Sequence, residues 1–212
     1  MKLYSFFRSG SSHRTRIALN LKHVHYNFEY IALNKNEHQD TTFSQINPQK
    51  FVPVLQTEQA ILFQSPAIIE WLNEEYVEPK LLPEDPILRA YVRAIAALIG
   101  CDIHPINNKR ILEYLHHQLK LDEKEIQNWC IHWIDEGFEA LEQLLQQKSL
   151  CGTCCYGDQP SIADVYLIPQ VDSAIRFGCD LSKYPKIMSI YQHCMTLDAF
   201  QQASPAQQAD AF

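Results

Sequence analysis

The chain has 212 residues, 46% of them hydrophobic and 20% charged, with a formal net charge of −7. That length suits one or two compact units, each able to bury a core, and the acidic balance argues against a general nucleic-acid binder, which needs a basic face. No apolar run approaches the roughly 18 residues of a membrane span, and Arg8 interrupts what would be the apolar region of a signal peptide. Seven cysteines, clustered only at Cys151, Cys154 and Cys155, therefore read as reduced thiols of a cytoplasmic protein.

Along the chain, Lys2–Phe7 is a short apolar run fit for a buried strand, and the polar stretch Ser9–Ser12 is a natural helix start. Ile17, Ala18 and Leu21 then recur at helical spacing. His25–Leu33 alternates as a half-buried strand, with Tyr26, Phe28, Tyr30 and Ala32 on one parity. After a polar connection and a short helix, Val52–Thr57 and Ala60–Phe63 read as two strands around a tight turn. Ser65 opens an amphipathic helix bearing Ile68, Ile69, Leu72 and Tyr76. The order β-α-β-α-β-β-α is that of a thioredoxin-like domain with a mixed sheet, expected over residues 1–78. Residues 79–86 follow as a stiff Pro-rich linker. Over 87–212 strand signals vanish, and Ile87–Gln118, Asp122–Gln147, Ser161–Ile175 and Pro185–Met195 read as helices. The last dozen residues, QQASPAQQADAF, look like a polar tail.

The strand-to-helix corner at the N-terminus carries the strongest chemical signal. Such a corner presents free amides and a positive dipole end, and here it holds Ser9, Ser11 and Ser12 where redox relatives of the fold hold a cysteine. A hydroxyl there can donate a hydrogen bond to a bound thiolate and lower its pKa from about 8.5 toward neutrality. The plainer reading of Ser9 is a helix cap. Val52-Pro53 stands at the start of the third strand, where proline is tolerated only at an edge or first position. A cis bond there would turn the preceding backbone toward a peptide ligand. Gln64-Ser65 opens a helix whose N-terminus suits a carboxylate, although Ser65 too reads plainly as a cap. A thiol partner, a backbone clamp and a carboxylate cradle are what glutathione requires.

The whole chain resembles the zeta-class glutathione transferases, which include the maleylacetoacetate isomerases and bacterial maleylpyruvate isomerases. The family pattern Ser-Ser-Cys-Ser-x-Arg-x-Arg-Ile-Ala-Leu reads here Ser9-Gly10-Ser11-Ser12-His13-Arg14-Thr15-Arg16-Ile17-Ala18-Leu19, so Ser11 replaces the motif cysteine and Gly10 the second serine. The segments Asn47–Leu55, Gln64–Leu72, Cys101–Leu115 and Tyr156–Pro185 extend the likeness. The resemblance implies the glutathione-transferase fold, a homodimer and glutathione as cofactor. Glutathione would be held by Val52, Pro53, Gln64, Ser65, His104 and Asn108, with Arg8, Ser9, Ser11 and Arg176 catalytic. Arg8, Arg110 and Arg176, each by itself an ordinary surface charge, would take the substrate's carboxylates; arginine binds these through a bidentate fork.

The implied reaction is cis–trans isomerisation of a maleyl oxo-acid, maleylacetoacetate or maleylpyruvate, to its fumaryl isomer in tyrosine or gentisate catabolism. The alternatives are a general glutathione transferase for small anionic electrophiles and a non-catalytic adaptor of the same fold. Ser161-Ile-Ala-Asp164 fits a capping box. Cys151-Gly-Thr-Cys154 is formally a redox or zinc pattern, but it lies in a loop without a second ligand pair. Neither metal, nucleic acid nor membrane is expected as a partner.

Overall fold

A computed structural model of the protein describes residues 1–146 and 150–211. The chain divides into two compact units. The first joins Met1–Leu81 with the segment from Thr196 onward, and the second is Leu82–Met195.

In the first unit, β1 (Lys2–Ser5) leads into α1 (Gly10–Leu21), and β2 (Asn27–Tyr30) returns parallel to β1. Two short 3₁₀ turns and α2 (Thr41–Ile46) precede β3 (Val54–Gln56), β4 (Ile61–Phe63) and α3 (Ser65–Glu75). The sheet order is β2-β1-β3-β4, with β3 antiparallel to both β1 and β4. Helix α1 buries Ile17, Ala18 and Leu19 completely, so the parallel crossover is held by apolar burial; of the residues expected from helical spacing, Ile17 and Ala18 are buried and Leu21 is half-buried. Strand β2 is shorter than its alternation suggests. It pairs only with the four residues of β1, and the extended run gives way to a 3₁₀ turn at Leu33–Lys35, which Asn36 closes with φ 61°. Phe6, Phe7, Phe43, Val52 and Val54 form a core cluster directly beneath the β1–α1 corner.

The C-terminal segment does not belong with the helices that precede it, contrary to the expected boundary of 87–212, and it is not a free polar tail. Helix α9 (Asp198–Ala203) packs on α1, with Phe200 and Ala203 fully buried. Two apolar residues three apart are enough to dock one turn of helix, yet too few to stand out among the surrounding glutamines. At the other edge the first unit reaches past residue 78. The Lys22 ammonium donates to the carbonyls of Tyr76 and Pro79, both at 2.6 Å, and to Asn73 Oδ1 at 3.2 Å. The expected linker 79–86 is thus tied at its start, and Asp85 closes it by capping the next helix.

The second unit comprises α4 (Pro86–Ala97), α5 (Lys109–His117), α6 (Glu123–Leu145), α7 (Ile162–Phe177) and α8 (Pro185–Cys194). The single helix expected over Ile87–Gln118 is interrupted by a π-helical turn, Leu98–Ile103, and a 3₁₀ turn, Pro105–Asn107. Pro105 has no amide to continue the ladder. The π turn also brings Ile103 against Gly137 of α6, where an added Cβ would stand 2.3 Å from Ile103 Cδ1. Glycine is what admits the bulge. Helix α7 is buried over most of its length and opens on the predicted capping box, with Asp164 accepting from Ser161 N and Ser161 Oγ, both at 2.8 Å. Buried Glu142 of α6 accepts the amides of Lys186 and Ile187 at the start of α8.

A pH dependence follows from His13, which is buried in α1 beside Arg14 and Arg16. Burial, then those two charges, holds its pKa well below the ordinary 6.5. Below pH 6.5 the unfolded chain binds a proton that the folded chain refuses, so stability falls as pH drops, by up to about 1.4 kcal/mol per unit. Chemical denaturation at a series of pH values between about 7 and 5.5, above the range where ordinary carboxylates titrate, should display this loss, and His13→Gln should remove its histidine part.

Candidate functional site

At the β1–α1 corner Ser9 takes an extended backbone (φ −72°, ψ 120°) and caps α1, its Oγ accepting from Ser12 N at 3.2 Å. Ser9 Oγ also lies 3.1 Å from Ser11 Oγ, and Ser11 Oγ donates to the Val52 carbonyl at 3.1 Å. Val52–Pro53 is cis, as expected, and so is Glu78–Pro79, which the sequence did not reveal. The fold thus brings Ser9, Ser11 and Val52 together from segments more than forty residues apart. Because Ser11 gives its hydrogen to Val52, the hydrogen within the Ser9–Ser11 contact is that of Ser9. Capping uses Ser9 only as an acceptor, so this hydrogen can turn from Ser11 to an anion bound at the corner. The cap and the donor are therefore compatible roles for one hydroxyl.

The surroundings favour negative charge. No acidic residue stands in the first turn of α1, whose free amides point at the corner. Arg8 is exposed there, its guanidinium 5.7 Å from the Phe7 ring centroid.

Gln64 and Ser65 sit where β4 meets α3. Gln64 holds φ 68° and ψ 109°, a conformation uncommon outside glycine that costs on the order of 1 kcal/mol or more and concentrates at functional positions. Gln64 occupies the cap position and Ser65 is the first helical residue, so the plain reading of Ser65 as the cap is corrected by one position. The Gln64 amide donates to Gln49 Oε1 at 2.5 Å, drawing the Asn47–Leu55 segment to this helix start.

In the second unit, His104 closes the π turn and Asn108 caps α5, its Oδ1 accepting from Arg110 N at 3.3 Å. The bulge and the proline turn thus place His104, Asn108 and exposed Arg110 in quick succession, and π bulges gather at functional sites. Arg176 stands exposed in the last turn of α7, its Nη2 3.1 Å from Ser173 Oγ and its guanidinium 4.7 Å from the Phe177 ring. A cation at a helix C-terminus also has an ordinary electrostatic rationale.

The C-x-x-C pattern does not pair its sulfurs. Cys151 Sγ donates to the Cys154 carbonyl at 3.2 Å, and Cys154 lies instead with Cys194 and Asp164, their ligating atoms within 4.8 Å of one another. The Asp164 carboxylate also accepts from Cys155 N at 2.7 Å, which makes it a structural cap. Burial raises the thiol of Cys155 well above its ordinary pKa, the opposite of an activated thiolate. Among the described residues no helix is long and apolar enough to cross a membrane.

Two residues at the corner escaped the sequence reading, Arg16 and Asp210. Arg16 falls inside the motif, but nothing in its spacing says that it is buried, and Asp210 lies in a segment whose polarity disguises its docking.

Residues 1–74 match the glutathione S-transferase N-terminal domain family. The chain is 54% identical to a maleylpyruvate isomerase of Ralstonia sp over 211 residues, covering all of both chains. The structure resembles a holo maleyl pyruvate isomerase, described as a bacterial zeta-class glutathione S-transferase, with a TM-score of 0.99 at 53% identity and full coverage of both. It also resembles a maleylacetoacetate isomerase from Anaeromyxobacter dehalogenans 2CP-1 holding dicarboxyethyl glutathione and citrate in its active site, with a TM-score of 0.88 at 36% identity, covering 100% of this chain and 93% of that one. With a matching first domain and full-length relatives at this identity, the chain belongs to the zeta-class glutathione transferase family.

Proposed function

We propose that the protein is a cytoplasmic, glutathione-dependent cis–trans isomerase of maleyl oxo-acids, of the maleylpyruvate or maleylacetoacetate type. The observation that carries this reading is the Ser9 hydroxyl, which caps α1 through its oxygen while its hydrogen lies beside the Ser11–Val52 link. Glutathione, when bound, supplies a thiolate that adds reversibly to the cis double bond and so frees it to rotate. The chain's residues fit that ligand. Ser9 and the α1 N-terminus stabilise the sulfur's charge, with Ser11 holding Val52 in register. Val52 and Pro53 offer backbone to the cysteinyl part, and Gln64 with Ser65 cradles the γ-glutamyl carboxylate at the start of α3. His104 and Asn108 complete the glutathione contacts in this reading.

Arg8, Arg110 and Arg176 take the carboxylates of the substrate. Arg8 and Arg176 also stabilise the negative charge that develops on the oxo group, a contribution that raises kcat more than it tightens binding. The dicarboxyethyl glutathione held by the Anaeromyxobacter relative supports an anionic electrophile, since it is a glutathione thioether bearing two carboxylates. Retention on immobilised glutathione, followed by a turnover scan over maleyl, haloacid and aryl electrophiles, tests the assignment. Retention with turnover of the maleyl substrates supports it. Preference for the others points to a general transferase, and retention without turnover to an adaptor.

The protein is also expected to be a homodimer. Ile61 and Phe63 on the edge strand β4 are 42% and 52% exposed, apolar side chains that an association would cover. Sedimentation should find two-chain particles at micromolar concentration; monomer alone would remove the dimer from the account.

A further inference from the structure

Among the described residues Arg16 is the largest fully buried side chain, and its hydrogen bonds converge on one place. Its Nη2 donates to the Phe7 carbonyl at 2.9 Å and its Nη1 to Ser5 Oγ at 3.2 Å and the Phe6 carbonyl at 3.4 Å. Its Nε donates to the Ala203 carbonyl, at the end of α9, at 2.9 Å. A second link joins the same two segments, because Asp210 Oδ2 accepts the Phe7 amide at 2.9 Å. Both polar groups of the Phe7 backbone are thereby held, one by Arg16 and the other by the C-terminal segment. The next residues are Arg8 and Ser9, and the Ser9 amide itself bonds to the Phe6 carbonyl at 3.1 Å.

Cost decides how this arrangement should be understood. Burying a guanidinium is expensive unless its donors are met, and burial has pulled the Arg16 pKa down to about 10. Apolar side chains could fill the same volume at less cost. An arginine instead fixes three carbonyl oxygens and a hydroxyl in one rigid fork. Asp210 lies close enough to oppose part of that fall, and its Oδ1 is buried at the same spot. The Gln208 amide, which donates to the Gln202 and Ser204 carbonyls at 2.8 and 3.0 Å, folds the segment back so that Asp210 reaches the corner.

We propose that the C-terminal segment and Arg16 form a clamp that sets the position of the Phe7-Arg8-Ser9 corner, with Arg16 and Asp210 acting as positioning residues for the sulfur-binding hydroxyl. The proposal rests on the functional reading above for what the corner binds, but not for the existence of the clamp. It makes the C-terminus, the most distant part of the sequence, a determinant of thiol activation.

Asp210→Ala is the cleanest probe, because Asp210 is partly exposed and its loss leaves the Arg16 contacts in place. Three measurements on the purified full-length protein decide the matter: amide exchange at Phe7, glutathione affinity by calorimetry, and ultraviolet titration of the bound thiol. Exchange at Phe7 should quicken about tenfold or more, as a hydrogen bond to a charged acceptor is lost. Glutathione affinity should fall roughly three- to tenfold, and the thiol should titrate at higher pH. Asp210→Asn, which keeps an acceptor oxygen, should restore most of each. A merely structural role would lower the melting temperature without moving the thiol titration. Folded Asp210→Ala protein with wild-type titration and affinity overturns the proposal, even if Phe7 exchanges faster. Unchanged exchange at Phe7 overturns the clamp itself. Failure of the wild-type protein to bind glutathione would instead refute the functional reading, and Phe7 exchange would still show whether the clamp exists.

Discussion

Replacing Ser9 with alanine is expected to raise the pKa of bound glutathione and to depress turnover at neutral pH about ten- to a hundredfold. That range corresponds to losing one hydrogen bond to a charged group, about 1.5–3 kcal/mol. Ser9 Oγ also caps α1 through Ser12 N, so a stability loss of about 1 kcal/mol should accompany the kinetic defect. The two effects separate. A lost cap lowers the melting temperature and leaves the thiol titration alone, whereas a lost thiolate donor moves the titration. Glutathione affinity should change less than turnover, because Val52, Gln64 and Ser65 are untouched. Arg176→Ala should do the reverse and weaken use of the maleyl substrate without shifting the thiol. If Ser9→Ala leaves both titration and neutral-pH rate intact, Ser9 is only a cap, and Ser11, 3.1 Å away, becomes the next residue to test.

The second large effect is on folding. Asp164 is fully buried at the start of α7, and its carboxylate receives Cys155 N, Ser161 N and Ser161 Oγ at 2.7–2.8 Å. Alanine there would strand two buried amides and a hydroxyl beside a cavity. The expected cost is about 3–4 kcal/mol, or a fall of roughly 6–16 °C in melting temperature for a chain of this size. The loop that carries Cys151, Cys154 and Cys155 hangs from the same carboxylate, so those thiols should become reactive toward a thiol reagent in the variant. Calorimetry and thiol counting check the two expectations. A wild-type melting temperature would mean that the box is dispensable.

How much of this was legible beforehand depended on whether the signal was local. Ser9 and the Ser161–Asp164 box announce themselves because caps are set by residue type over three or four positions, and the order of strands and helices in the first unit follows from the spacing of apolar runs. Of the break in the long helix, Pro105 was a local sign, but the π turn at Leu98–Ile103 was hidden, because it rests on Gly137, more than thirty residues on, leaving room for Ile103. The docking of α9 was hidden for a related reason. Phe200 and Ala203 matter only because α1 lies under them, and Arg16 is recognisable as buried only once the Ala203 carbonyl is seen opposite its Nε. Gln64 shows the same limit on the scale of one residue: its left-handed backbone is imposed by the β4–α3 connection, and nothing in the amino-acid type foretells it.

The most direct test of the whole account is to follow maleylpyruvate and maleylacetoacetate by proton NMR with the protein and a sub-stoichiometric amount of glutathione. Vinyl signals of the cis acid should give way to those of the trans acid at one or both substrates, over many turnovers per glutathione, with the glutathione spectrum unchanged at the end. Omitting glutathione should stop the conversion. Glutathione consumed one for one into a stable thioether, or no trans product at all, would contradict the isomerase assignment.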